Sequence, residues 1–388
     1  MWKERKFMSG SRKKRFNIKI MNKLNIKLKK EIDDSYEIIF TQKIWEELSN
    51  FLLKNNKNKI LIVSDSNVYP LHYYNLFTSI DTEIEVFSFE IKSWEENKNI
   101  EAVLDISKKL IEENFNRWDI LIALWWWVVW DIVGMTASLF KRWIEFIQIP
   151  TSLLSMFDSS VWWKTWVDFE WIKNIIWSFK QPKLVLINSE YLETLPEKEI
   201  LSWFFEGLKH SLIKSEEYFE NFKIKWDLFF NQEKFNLQEI IKENVSVKAD
   251  IVMEDEKEMW VRKNLNLGHT FGHALESMTD FKITHWVCVW FWIIYINILS
   301  NKLWYLSDKN LDEINSFILN KLDKIDLSEF NLNFEEIYKK MLSDKKNDDS
   351  DIFFILLEKP WKLFIEKFWV ERKQILEESF KEFIKNTK

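Results

Sequence analysis

The sequence predicts an α/β first half, a Rossmann-like doubly wound parallel sheet, followed by a mainly helical second half. Three observations carry this. Short, nearly unbroken apolar runs recur up to about residue 150, stretches of helical spacing separate them, and after about Asn188 strand signals become rare. Unbroken apolar runs bounded by turn signals mark strands buried on both faces of a sheet. Strand alternating with helix supplies the crossovers that a parallel sheet requires.

Lys59–Asp65 (KILIVSD) is the first such run, and Glu83–Glu90 (EIEVFSFE) alternates as a second strand. Asn97–Phe115 repeats apolar residues at helical spacing through Ile100, Val103, Leu104, Ile106, Leu110 and Ile111. Asp119–Leu124 (DILIAL) and Phe146–Pro150 (FIQIP) are two further buried strands. Beyond a boundary near residues 180–190, Leu195–Ser215, Leu237–Ala249, Leu265–Met278 and Val287–Leu299 read as helices, and Asp344–Asp351 as a charged loop. The expected domains are 21–185, binding a nucleotide, and 186–388, helical. Residues 1–20 are basic, with RKKR at Arg12–Arg15, and lack an apolar core. They read as a tail, or as sequence upstream of a true start at Met21.

Length and charge bound the function. The chain has 388 residues, enough for two domains and a sizeable core. A formal net charge of −6 gives no general affinity for nucleic acid. One cysteine, Cys288, allows no disulfide framework and suits a reducing, cytoplasmic setting. Ile120–Phe140 is long and apolar, but Asp131 interrupts it and its tryptophans are central, so it does not read as a membrane span.

The composition is abnormal in two residues: tryptophan occurs 23 times and glycine five times. Four of the tryptophans fall in Leu124–Gly134 (LWWWVVWDIVG), directly after a predicted strand. In an open α/β sheet that loop is where a ligand binds, and a pyrophosphate there needs bare backbone N–H groups, hence glycine. Read with glycine at each tryptophan, the stretch becomes a glycine-rich phosphate loop. Val161–Phe169 (VWWKTWVDF), Glu258–Arg262 (EMWVR) and His285–Trp286 read equally well this way. Tryptophan thus occupies glycine's positions, as it would if a genome reading UGA as glycine were translated with UGA as tryptophan.

His269 and His273 are four apart on a predicted helix, which puts both imidazoles on one side. Such a pair suggests a zinc site, and His285 follows as a third of only five histidines.

With the glycine reading, the chain resembles the 3-dehydroquinate synthase family from about Met21 to Trp369. The matching motifs are Asp65–Val68 (DSNV), Trp94–Lys98 (WEENK), Trp125–Gly134 and Pro150–Val167 (PTSLLSMFDSSVWWKTWV). They continue with Lys173-Asn174, Leu192–Pro196 (LETLP), Glu206-x-x-Lys209, Asn266–Glu276 (NLGHTFGHALE), His285-Trp286 and Asp344–Lys346 (DKK). The resemblance implies conversion of the linear seven-carbon phosphate DAHP to 3-dehydroquinate and inorganic phosphate, in the shikimate pathway. The route implied is transient oxidation by NAD, phosphate elimination, re-reduction and intramolecular aldol closure. It also implies a divalent metal, zinc or cobalt, and a homodimer.

Residue by residue, the resemblance assigns Glu206, His269 and His285 to the metal, and His273 to an acid–base or orienting role at the substrate. Arg142, Lys164, Asn174, Lys209, Lys248, Arg262, Asn266, Lys345 and Lys346 match substrate contacts. Asp65, Asn67, Glu95, Lys98, Trp126, Trp127, Val128, Val129, Trp130, Asp131, Thr151, Ser152, Lys164, Lys173, Tyr191, Leu192, Glu193 and Thr194 match cofactor contacts. Departures from the family pattern fall at Asn188, Phe205, Gly207, Ser215 and Val287. Two alternatives stand beside this reading. One is a related sugar-phosphate cyclase acting on another seven-carbon phosphate. The other is an inactive homologue, if the tryptophans are real. A metal-dependent alcohol dehydrogenase of similar fold is more distant, since it does not need so many anion-binding residues.

Overall fold

The apolar runs do become strands of one parallel sheet. The chain forms β1 (Glu37–Phe40), α1 (Ile44–Lys54), β2 (Lys59–Asp65), a short α2 (Tyr74–Phe77), β3 (Glu85–Ile91), α3 (Ile100–Glu112), β4 (Ile120–Trp125), α4 (Val129–Leu139) and β5 (Glu145–Pro150). A hairpin of β6 (Lys164–Phe169) and β7 (Ile172–Phe179) precedes the last sheet strand, β8 (Leu184–Ile187). The order is β1-β8-β5-β4-β2-β3, with every neighbouring pair parallel. The computed structural model describes residues 33–78, 83–126, 128–161, 164–170, 172–230, 237–255, 261–267, 269–279, 282–283, 285–322, 327–342, 352–359, 361–368 and 372–387.

The strands are apolar throughout because both faces are covered. Leu61 and Val63 of β2, with Leu121 and Ala123 of β4, pack on Val103, Ile106 and Leu110 of α3. The alternate residues Ile60, Ile62, Ile120 and Ile122 pack on Leu48 and Leu52 of α1. The chain moves outward from β2 to β3 and then returns to β2's other side as β4. The strand order therefore reverses between β2 and β4, and the crevice beyond their carboxyl ends is the ligand position such sheets offer.

The second half contains α5 (Glu197–Lys214), α6 (Glu216–Phe230), α7 (Leu237–Glu254), α8 (His269–Met278), α9 (His285–Lys302), α10 (Asp308–Lys321) and α11 (Phe334–Leu342). A hairpin of β9 (Ile352–Lys359) and β10 (Lys362–Phe368) and a final α12 (Lys373–Asn386) complete it. Helix α9 is buried on all sides from Cys288 to Ile296. A helix apolar all round belongs in a core, and α9 packs against α5, α8, α10, α12 and β9. No helix among the described residues is long and apolar enough to cross a membrane.

The structure amends the sequence reading in three places. Strands do return late, as β9 and β10, and the run Ile352–Leu357 (IFFILL) is their visible signal. The β6–β7 hairpin was not anticipated: on β7 the exposed face carries Ile172, Ile175, Trp177 and Phe179 while Asn174 and Ser178 face inward, so the pattern does not read as a half-buried strand. The expected single helix Leu265–Met278 is a 3₁₀ turn over Val261–Asn266 followed by α8. Residues 1–20 and the loop Asp344–Asp351 lie outside the described residues.

Candidate active site

The nucleotide side forms at the carboxyl ends of β2, β4 and β5. The loop after β4 is tied down by β5: the Thr151 N–H and hydroxyl both donate to the Trp125 carbonyl, at 2.8 and 3.0 Å. The Ser152 hydroxyl donates to the Trp126 carbonyl at 3.2 Å. At the end of β2, Asp65 accepts the N–H groups of Asn67 and Val68 at 2.8 and 3.2 Å. Burial pushes the Asp65 carboxyl above its ordinary value, against the opposing pull of those bonds. Val128 and Val129 are buried, while Tyr191 and Leu192 lie in a 3₁₀ turn over Ser189–Thr194. Thr194 Oγ1 is 3.1 Å from His72 Nε2, and Glu193 is exposed.

Asp131, in the first turn of α4, links this loop to the hairpin. It pairs with Lys98 at 2.7 Å and accepts the Trp166 N–H at 3.1 Å. Lys98 also donates to Asn174 Oδ1 at 2.8 Å, and the Asn174 N–H donates to Asp168 at 2.7 Å. Burial pushes the Asp131 carboxyl up to about 7, with Lys98 opposing. Lys173 lies 3.8 Å from Glu95. Lys164 opens β6, which packs on α4. The structure thus gathers Lys98, Asp131, Asn174, Lys173 and Glu95 into one ion-pair and hydrogen-bond network.

The helical side carries a buried charge cluster. Glu206 and Lys209, one turn apart on α5, form an ion pair, and Glu206 is only 1% exposed. Lys248 of α7 has a fully buried side chain and bonds both the carboxylate and, at 2.7 Å, the carbonyl of Asp158. Arg262, also buried, follows on the 3₁₀ turn, where its N–H donates to Asp255 at 3.2 Å. Burial works to raise the Asp158 carboxyl, but the Lys248 and Lys209 ammonium groups outweigh it and hold the carboxyl well below the usual range. Burial brings Lys248 down to about 8, with Arg262 and Lys209 adding to the shift and Asp158 opposing it. His210, beside Lys209, is pushed down to about 3 by burial and by Lys209, so it is neutral.

Glu206 sits on α5, and His269 and His285 are the first residues of α8 and α9. Both α5 and α8 pack on α9. The side chains of His269, His273, His285 and Asn266, and all of Trp127, Lys345 and Lys346, lie outside the described residues. Among the described residues no group of three His, Cys, Asp or Glu forms a metal cage. Arg142 is not gathered with the others: it is exposed and precedes β5, whereas the loops of the site follow the strands' carboxyl ends. The sequence reading missed Asp158 and His210. Asp158 lies inside a quoted motif, but its partner Lys248 is 90 residues away, a separation that no local pattern reveals.

Three departures from the family pattern have structural explanations. Asn188 Oδ1 accepts the Glu190 N–H at 2.9 Å, and Ser215 Oγ accepts the Tyr218 N–H at 3.1 Å. Asn, Ser and Asp serve alike as caps at such positions. Gly207 faces α6 so closely that a Cβ would lie 2.6 Å from the Phe222 ring. Val287 is buried in the helical core.

Known proteins match this arrangement along most of its length. The families described as 3-dehydroquinate synthase N-terminal and 3-dehydroquinate synthase C-terminal match residues 88–202 and 204–347. A 3-dehydroquinate synthase of Ruminiclostridium cellulolyticum is 36% identical over 323 residues, covering 83% of this chain and 89% of that protein. One of Acetivibrio thermocellus is 36% identical over 342 residues, covering 87% and 93%. Among solved structures, a 2-epi-5-epi-valiolone synthase from Streptomyces hygroscopicus with NAD+ and Zn2+ bound superposes with a TM-score of 0.79 at 20% identity, covering 93% of this chain and 99% of that one. A 2-deoxy-scyllo-inosose synthase complexed with carbaglucose-6-phosphate, NAD+ and Co2+ gives 0.75 at 20% identity, covering 88% and 96%. An iron-containing alcohol dehydrogenase gives only 0.58. The order of the motifs, the parallel sheet with its helical second half and these matches agree: the chain belongs to the 3-dehydroquinate synthase family.

Proposed function

We propose that this chain converts DAHP to 3-dehydroquinate and inorganic phosphate. The observation that carries the reading is the buried cluster of Lys209, Lys248 and Arg262. These three cations are buried among the carboxylates of Glu206, Asp158 and Asp255, a dense set of charged donors held away from water, which suits a substrate bearing both a carboxylate and a phosphate. Charge-assisted bonds are stronger in such surroundings than in water. Arg262 offers a planar fork to the carboxylate, while the two lysines act as point charges. The Lys98–Asp131–Asn174 network fixes the wall between cofactor and substrate, so that the reacting carbons are held in one orientation. His273 is assigned the proton-handling or orienting role.

The residues fit a divalent metal. Glu206 is a deeply buried carboxylate on α5, and two imidazoles with one carboxylate suit zinc or cobalt while leaving positions for substrate oxygens. Such an ion, held by Glu206, His269 and His285, would polarise a substrate hydroxyl. For NAD the rim fits, through Asp65, Glu95, Lys98, Thr151 and Ser152, but the loop does not. Trp125 and Trp126 stand at the end of β4 and just after it, where a pyrophosphate needs the bare N–H groups that glycine gives.

We infer a cytoplasmic homodimer whose nucleotide part is the sheet and whose second part is helical. The position of Arg142 supports the dimer: matched to a substrate contact yet remote from the cluster in its own chain, it suits service to a neighbouring subunit. The test is phosphate release from DAHP with NAD and zinc or cobalt, against a panel of seven-carbon phosphates lacking the carboxylate. Release from DAHP alone is expected; equal turnover of the others would favour a related cyclase.

A further inference from the structure

The backbone holds tryptophan in conformations that belong to glycine. Among the described residues nine non-glycine residues have positive φ, and three of them are Trp94 (φ 100°), Trp304 (φ 65°) and Trp361 (φ 67°). Trp94, with ψ 150°, lies in a region open essentially to glycine alone. Trp304 ends α9: its N–H donates to the Asn301 carbonyl at 2.8 Å, and the Tyr305 N–H to the Ser300 carbonyl at 2.9 Å. This pair of bonds defines a helix end whose left-handed residue is usually glycine. Trp361 lies in the link between β9 and β10, just before Lys362, and a left-handed residue in such a tight link is ordinarily glycine. Nothing offsets the strain at two of these sites, since Trp94 is 68% and Trp304 94% exposed.

Buried tryptophans give a second, independent observation. Among the described residues the indole N–H groups of Trp125, Trp126 and Trp292 are buried with no acceptor. Each such orphan donor costs about 1–3 kcal/mol, and indole N–H groups in native interiors usually find a partner. The counts agree. The 23 tryptophans and five glycines together make 28 of 388 residues, close to the ordinary glycine share of about 7%.

We propose that the functional protein carries glycine at these positions, because its gene is read with UGA as a glycine codon. The loop after β4 is then a bare-backbone cradle that presents the amino end of α4 to the pyrophosphate of a dinucleotide. The cradle rests on the functional reading above; the residue identities rest on backbone geometry, orphaned donors and composition, and do not need it.

The experiment is peptide mass determination on the protein isolated from cells that carry the gene, with phosphate release from DAHP assayed on the same preparation. Trypsin yields peptides 93–98, 118–141 and 303–309, which contain Trp94, the loop tryptophans and Trp304. Each glycine lightens its peptide by a whole indole side chain. Glycine at 94, 125, 126 and 304 is expected. Tryptophan at 94 or 304 would overturn the proposal, even in an active preparation, in which case the functional reading would stand. A glycine-bearing but inactive preparation would leave the residue assignment standing and sink the functional reading.

Discussion

The two sides of the site differ in how well their residues suit their surroundings. On the helical side, Lys248 meets the Asp158 carboxylate and carbonyl, and Glu206 meets Lys209. On the nucleotide side, the rim is equally well matched through Lys98, Asp131 and Asn174, yet Trp125 at the end of β4 and Trp126 after it bury two indole N–H groups without acceptors among the described residues. The contrast separates two kinds of specification. Ion pairs between distant segments are specified by side chains, and those side chains are present. A phosphate loop is specified by the absence of side chains, and there the residues conflict with the fold, as they do at the left-handed turns held by tryptophan.

The largest expected effect breaks this contrast directly. A chain with glycine at all 23 tryptophan positions should release phosphate from DAHP, with NAD and metal, more than about a thousandfold faster than the chain as written, since binding and positioning carry that much or more. Comparable rates would mean that the indoles leave the nucleotide groove open.

A second prediction probes the helical side. Lys248→Met leaves Asp158 without its partner and should cost about 3 kcal/mol in denaturant unfolding. Adding Asp158→Asn should recover much of that stability but none of the activity, because the anion-binding charge stays lost. Recovery of both would reduce the pair to a structural role.

The third prediction concerns pH and has opposite signs for binding and stability. Lys248 loses its proton near 8 in the folded chain and at its ordinary 10.5 when unfolded. Affinity for the anionic substrate should therefore fall as pH rises through about 8, seen as a rise in KM. Between about 8 and 10.5 the unfolded chain holds the extra proton, so this group's contribution to stability should grow with pH. His210 acts lower on the scale: neutral in the fold down to about 3 and ordinarily titrating at 6.5, it should cost stability progressively as pH falls from 6.5 towards 3. Flat KM through pH 8, or stability indifferent to pH in either window, would contradict these assignments.

Legibility in the sequence followed the same division. Strands β2, β4 and β5 were visible because burial on both faces leaves an unbroken apolar run, and α3 because one face repeats at helical spacing. The β6–β7 hairpin was hidden because hydrophobicity and burial do not coincide there: Ile175, Trp177 and Phe179 are exposed while Asn174 and Ser178 are less so. Helix α9 was legible as apolar sequence, but its place at the centre of the second half depends on packing from five other elements. Within the site, the residue types were legible through motifs, whereas Asp158 with Lys248 and Lys98 with Asn174 are contacts made by topology.

The smallest expected effect is also the most specific. Helices α1, α3 and α9 end alike, on Asn56 (φ 52°), Asn114 (φ 56°) and Trp304 (φ 65°). Asn56 and Asn114 bond back to Leu53 and Ile111, and the residues after them to Leu52 and Leu110, as Trp304 and Tyr305 bond to Asn301 and Ser300. Asparagine tolerates this conformation because its short side chain can bond locally; a bulkier residue bears a penalty of about 1–2 kcal/mol. Trp304→Gly should therefore raise stability by about 1 kcal/mol in denaturant unfolding, while Asn56→Gly and Asn114→Gly change it by a few tenths. Trp304→Ala is the deciding control. Alanine removes the exposed indole but keeps a Cβ, so it retains the backbone penalty and should gain little. A gain from alanine equal to that from glycine would place the cost in the indole rather than in the left-handed backbone, and Trp304 would no longer count among the positions that demand glycine.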